Sequence, residues 1–144
     1  MTYSEYERPA LTGDTIIVRG AVGARELLLI KRGNPPFVGM WALPGGFLDA
    51  FERPEDAARR ELAEETGLAF TGTLALVGLY GERGRDPRGW TISAAYLGVL
   101  DDDRADVSGG DDAAEARWFP VGALPDLAFD HAGIVRDALA MLGE

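Results

Sequence analysis

Apolar residues in this chain fall into short runs punctuated by glycine, proline and acidic segments. Thr15-Ile16-Ile17-Val18-Arg19 reads as a strand, and Gly20 to Gly23 as the turn after it. Glu26-Leu27-Leu28-Leu29-Ile30-Lys31 is nearly continuous in apolar residues, which predicts a strand buried on both faces. Consecutive prolines make Gly33-Asn34-Pro35-Pro36 a loop, and Trp41-Ala42-Leu43 is a short extended piece after it. Thr73 to Tyr80 and Trp90 to Leu100 read as two strands around a Gly- and Arg-rich turn, and Ala116 to Val121 as a short strand. Residues 1–13 are polar and predict a loosely held arm.

Two segments carry helical signals. Pro54 to Thr66 opens with proline and two acids, which suit the positive end of a helix dipole, and Gly67 is placed to stop it. A second helix starts near Asp130, a good N-cap, and runs to Leu142. Strands with two separated helices predict one layered α/β domain over residues 1–144, with no internal repeat or linker.

Composition narrows the chemistry. The chain has 144 residues, 47% of them hydrophobic, enough for a sizeable core. There is no Cys, which removes disulfides, thiolate metal sites and cysteine nucleophiles and fits a reducing cytoplasm. His131 is the single histidine, so no multi-histidine metal site is possible. The amino terminus lacks a secretory pattern and no apolar run approaches a membrane span, so a cytoplasmic protein is expected. The net charge of −10 sits in two runs: residues 49–65 hold seven acids and three bases, and residues 101–115 seven acids and one base. Such acidity disfavours nucleic acid and anionic membranes as partners.

The first acidic run is the informative one. At 100° per residue, Glu64 lies about −60° and Glu65 about +40° from Glu61, so three carboxylates share one arc of the helix. Like charges so spaced cost roughly 0.2–0.5 kcal/mol per pair, and they call for solvent, nearby arginine or a hard cation such as Mg²⁺ or Mn²⁺. Spacing alone favours an ordinary solvated acidic face.

The exact residues decide between these. Gly46, Glu52, Arg60, Glu61, Leu62, Glu64, Glu65, Gly67 and Leu68 resemble the Nudix box, G-x5-E-x7-R-E-U-x-E-E-x-G-U with U a bulky aliphatic, at every specified position. The resemblance implies a Nudix-type α/β/α sandwich with a mixed β-sheet, a loop–helix–loop catalytic motif and hydrolysis of a pyrophosphate linkage to two monophosphates. It implies Glu61, Glu64 and Glu65 as metal ligands, with the carbonyl of Gly45 as another. It implies Mg²⁺ as the cofactor, with Mn²⁺ able to substitute. Arg60 would orient a glutamate and Glu52 would brace the loop. The general base would be a box glutamate or an acid of the later segment Asp111–Glu115, where Asp112 and Glu115 are the candidates.

Three outer stretches, KRGNPPFVGMWALPGGF, GRDPRGWTISAAYLG and LPDLAFDHAGIVRDAL, are similar to the ADP-ribose pyrophosphatase branch. That likeness implies ADP-ribose as the small-molecule nucleotide substrate, AMP and ribose 5-phosphate as products, and a possible homodimer. Asp86-Pro87-Arg88-Gly89 is a type I turn pattern that puts Arg85 and Arg88 at a hairpin tip, where they and Arg32 are candidates for gripping substrate oxygens. One marker departs: Pro87 falls 19 residues past Leu68, later than the branch's proline. An adenine slot stays open among Phe37, Trp41, Tyr80 and Trp90, each of which a core role also explains. His131 is read as a capping or packing residue, and Gly78, Gly81 and Gly84 as a twisted hairpin rather than a dinucleotide fingerprint. The alternatives are a Nudix pyrophosphatase for NADH, dinucleoside polyphosphates, nucleotide sugars or nucleoside triphosphates, or a non-catalytic nucleotide sensor. The chain stops one helix after Asp130, so no attached DNA-binding domain is expected.

Overall fold

The computed structural model describes residues 2–101 and 106–144. Among these, seven strands form one mixed sheet: β1 Ala10–Arg19, β2 Glu26–Arg32, β3 Trp41–Ala42, β4 Gly45–Phe47, β5 Ala75–Tyr80, β6 Thr91–Leu100 and β7 Ala113–Pro120. Two helices, α1 Pro54–Thr66 and α2 His131–Met141, cover its two faces.

The apolar runs explain this layering. In β1, Ile16 and Val18 pack with Leu27 and Leu29 of β2 against Ile134, Val135 and Ala138 of α2. The alternate residues Ile17 and Leu28 pack against Leu62 of α1 and against Phe70 and Leu74. Successive side chains of a strand point to opposite faces, so a strand lying between two helices must be apolar on both. The predicted α/β/α sandwich is the observed one.

The site owes its position to how β1 and β2 part. They pair antiparallel through Val18↔Leu27 and Arg19↔Glu26, then diverge. β4 takes the vacated edge of β1 through Thr12↔Phe47, Gly13↔Gly46 and Asp14↔Gly45, and β3 takes the edge of β2. The Leu43-Pro44 turn between β3 and β4 thus spans a cleft between the two halves of the sheet. On its other edge β1 runs parallel to β6 from Ala10↔Thr91 to Arg19↔Leu100.

Helix α1 spans the residues that its capping signals predict, and Gly67 ends it in the left-handed region at φ 76°. Two expectations are corrected. The polar arm ends earlier than predicted, because Ala10 to Asp14 belong to β1. Thr12 and Asp14 are buried there, but they face a polar cleft rather than the core, so no apolar alternation betrays the strand. Asp130 does sit at the N-cap of α2, yet its side chain makes no capping hydrogen bond, because Arg85 takes its carboxylate.

Candidate active site

Helix α1 projects its carboxylates toward the β3–β4 turn, and they do not behave alike. Glu65 is 5% exposed and accepts a hydrogen bond from the Gly45 N–H at 2.8 Å. Burial pushes its carboxyl up to about 8, against the pull of that N–H, and the Glu61 and Asp14 charges add to the rise. Glu61 is also pushed up by burial, opposed by Arg60. Glu64 stands at the solvent edge, its side chain 42% exposed.

Arg60 organises this face. Its Nε and Nη2 each donate at 2.9 Å to Glu52, a bidentate fork, while Nη1 donates to Glu61 at 2.7 Å and to Glu64 at 3.2 Å. Nη2 also reaches the Phe47 carbonyl at 3.1 Å. Glu52 in turn accepts from the Asp49 N–H at 2.9 Å, and these donors hold its carboxyl down near 2. The groups in this network lie on the end of β4, the loop after it and the helix, so Arg60 ties the three together. A Cβ at Gly46 would meet the Glu61 carboxyl carbon at 2.5 Å, so any larger residue there would displace that carboxylate.

The loop before β7 completes the acidic group. Ser108 N–H donates to the Thr66 carbonyl at 3.0 Å, which lays residues 106–112 against the end of α1. One carboxylate oxygen each from Glu61, Glu64 and Asp111 then lies within 4.8 Å of the others. Three like charges this close, only partly compensated by one guanidinium, with oxygen donors throughout, fit a hard divalent cation. Glu61, Glu64 and Asp111 could hold it, with Glu65 and the Gly45 backbone alongside. Asp111 is the residue that sequence reasoning missed. It sits within the nominated segment, but its φ of 52° turns the chain so that Asp111, rather than Asp112, faces α1.

A cavity of about 380 Å³ adjoins this group. Glu61, Glu65, Asp112, Arg32, Arg85 and Arg88 all line it. Glu115 does not: it sits on β7, paired with Arg117 at 2.6 Å, so the fold does not bring it to the site. Asp112 accepts from Asn34 Nδ2 at 3.1 Å, which joins the proline loop to the β7 loop.

Arg85 is nearer the interior than a hairpin tip suggests. The turn itself forms, with Gly89 N–H donating to Asp86 at 3.3 Å, but Arg85 folds beneath it and is 4% exposed. Its fork grips Asp130 at 2.8 and 2.7 Å, and its Nη1 donates to Ser93 at 2.9 Å. Thr12 links Ser93 to the buried Asp14, whose carboxyl burial raises to about 7. Arg32 donates through Nε to the Pro36 carbonyl at 2.6 Å. His131 is buried and also lines the cavity: its Nδ1 accepts the Leu43 N–H at 3.0 Å, and burial lowers it to about 4, so it is neutral near pH 7.

The nominated aromatics lie elsewhere. Trp41 packs on Phe119, Tyr80 donates to Asp137, and Trp90 is exposed. Phe37 rests edge-on against Phe129, at φ 60°. The rings that wall the cavity are Phe47 and Phe129, which no periodicity marks.

Known proteins place this arrangement. The chain is 44% identical over 135 residues to an ADP-ribose pyrophosphatase of Methanocaldococcus jannaschii, covering 94% of this chain and 76% of that one. It is 35% identical to the ADPR responsive transcriptional repressor of Acinetobacter baylyi, covering 96% of this chain but only 56% of that relative. Among solved structures, the NUDIX domain of Shewanella oneidensis NrtR complexed with ADP ribose superposes with a TM-score of 0.86 at 28% identity, over 99% of this chain and 94% of that one. A bifunctional NMN adenylyltransferase/ADP ribose pyrophosphatase from Francisella tularensis, complexed with AMP and a manganese ion, gives 0.83 at 27% identity, over 94% of this chain and 42% of that one. The NUDIX domain model matches residues 12–138, and with the α1 carboxylates gathered over this cleft, the chain belongs to the Nudix family as a pyrophosphohydrolase.

Proposed function

We propose that this enzyme hydrolyses ADP-ribose to AMP and ribose 5-phosphate with Mg²⁺, Mn²⁺ serving in its place. The carrying observation is one cavity that adjoins the Glu61–Glu64–Asp111 oxygens and is walled by arginines and aromatic rings. The 44% identity to a protein named for this reaction, and the likeness to a NUDIX domain solved with ADP ribose, support the choice of substrate. Glu61, Glu64 and Asp111 would hold a divalent cation, which would neutralise charge at the pyrophosphate and acidify water.

The chain's own residues do the rest. Arg60 holds Glu61 and Glu64 in place, and the Gly45 N–H aims Glu65 into the cleft. Water adds to one phosphorus, the bridging P–O bond breaks, and a carboxylate takes the proton. Of the two later acids considered, Asp112 lines the cavity, and we assign it that proton. Arg32 and Arg85 line the cavity beside it and offset the negative charge of substrate and acids.

The test is a substrate panel of ADP-ribose, NADH, a dinucleoside polyphosphate, a nucleotide sugar and a nucleoside triphosphate, with Mg²⁺ and with Mn²⁺, products separated by chromatography. ADP-ribose should give the highest kcat/KM, with AMP and ribose 5-phosphate as products and no turnover in EDTA. A higher rank for any other substrate sinks the ADP-ribose assignment. ADP-ribose binding without hydrolysis would make the domain a sensor.

A further inference from the structure

Arg88 is held in an unusual way for a residue expected to grip phosphate. Its Nε and Nη2 donate to the two oxygens of Asp86 at 3.0 and 2.8 Å, and its own N–H donates to Asp86 at 2.9 Å. Asp86 is 5% exposed, so this anchor is rigid. The Nε–Nη2 edge of the guanidinium is therefore spent inside the protein. What Arg88 still offers is Nη1 and the flat face of its guanidinium, on a side chain 41% exposed.

Two aromatic rings lie beside that guanidinium. The Arg88 guanidinium carbon is 4.8 Å from the Phe47 ring centroid and 5.6 Å from that of Phe129. All three residues line the cavity, and Phe47 is 42% exposed. Phe129 is fixed in turn by Phe37 at 4.8 Å and by the Arg32 guanidinium at 5.0 Å. A pinned, planar, cationic surface flanked by aromatic rings suits a flat, electron-rich heteroaromatic ring far better than a tetrahedral anion.

We propose that Arg88, flanked by Phe47 and Phe129, is the platform on which the nucleotide's base stacks. The proposal rests on the nucleotide substrate argued above, and it changes the role of Arg88 from phosphate grip to base recognition.

Calorimetric titration with AMP and with ribose 5-phosphate, in Mg²⁺, tests it on the wild type, Phe47→Leu and Arg88→Lys. The wild type should bind AMP at least ~10-fold tighter than ribose 5-phosphate, as stacking on one platform supports. Phe47→Leu and Arg88→Lys should each shrink that gap ~5-fold or more and leave ribose 5-phosphate binding unchanged, because lysine keeps the charge and loses the plane. A gap that survives both substitutions, or an equal loss for both ligands, overturns the platform. Phe47→Leu leaves the Arg88–Asp86 pair intact, so its result stands even if Arg88→Lys folds poorly. If ADP-ribose is hydrolysed and the gap survives, the platform fails and the proposed function stands. If the gap behaves as expected but ADP-ribose is not hydrolysed, the proposed function fails and the platform stands.

Discussion

Glu65 and Glu64 are neighbours in the chain and opposites in environment, one buried on a backbone N–H and the other at the solvent edge. Their roles should separate accordingly. Glu64→Gln or Glu61→Gln removes an oxygen of the proposed cation group, and turnover should fall at least ~10²-fold, about 2.7 kcal/mol. Near-wild-type kcat in both variants would refute the site. Glu65 predicts a pH effect on stability. Its folded carboxyl titrates near 8 against an ordinary 4.5, and Asp14 near 7 against 3.8. The folded state therefore binds more protons than the unfolded one in this range, and stability falls as pH rises. His131, lowered to about 4 from 6.5, has the opposite slope, but only below pH 6.5. In EDTA, the thermal midpoint should thus drop between pH 6.5 and 8, and Glu65→Gln should flatten the drop. A midpoint that rises through that window contradicts the burial of these two acids.

Among the elements, α1 was the most legible. Proline at its start, acids in the first turn and Gly67 at its end are local signals that act through the backbone of the helix itself, and they mark its span as Pro54–Thr66. The first half of β1 was not legible, because Gly13 has no side chain and Thr12 and Asp14 turn their polar groups into the cleft. Gly13 matters through contact: a Cβ there would strike the Pro54 carbonyl and lie 2.8 Å from the Ala58 nitrogen. The strand lets α1 sit directly on its backbone. Gly13→Ala should push the helix outward, cost ~1–3 kcal/mol in denaturant unfolding and lower kcat as the carboxylates shift. Unchanged stability and rate would show that the helix tolerates the displacement.

On the scale of the whole molecule, distant segments meet at the site through a few polar links. Arg85 from the β5–β6 connection clamps Asp130 at the start of α2, and Asn34 reaches Asp112 before β7. Arg85 is almost fully buried, so breaking its pair should cost more than a surface bridge does, on the order of 3 kcal/mol. In a double-mutant cycle, Arg85→Gln with Asp130→Asn should be less destabilising than the sum of the singles; strict additivity would deny the link. The sequence by itself determined the carboxylate helix, because the spacing along a helix and its end signals are local properties of consecutive residues, and the family followed from the residues that resemble the Nudix box. It also determined which runs are core, because a strand covered on both faces must be apolar throughout. The tertiary structure alone decided that Asp111 joins Glu61 and Glu64, that Glu115 stays away, that Arg85 is buried, and that Phe47 and Phe129 form the cavity wall. Those outcomes depend on where loops far apart in the chain are laid against each other, and no periodicity records that distance.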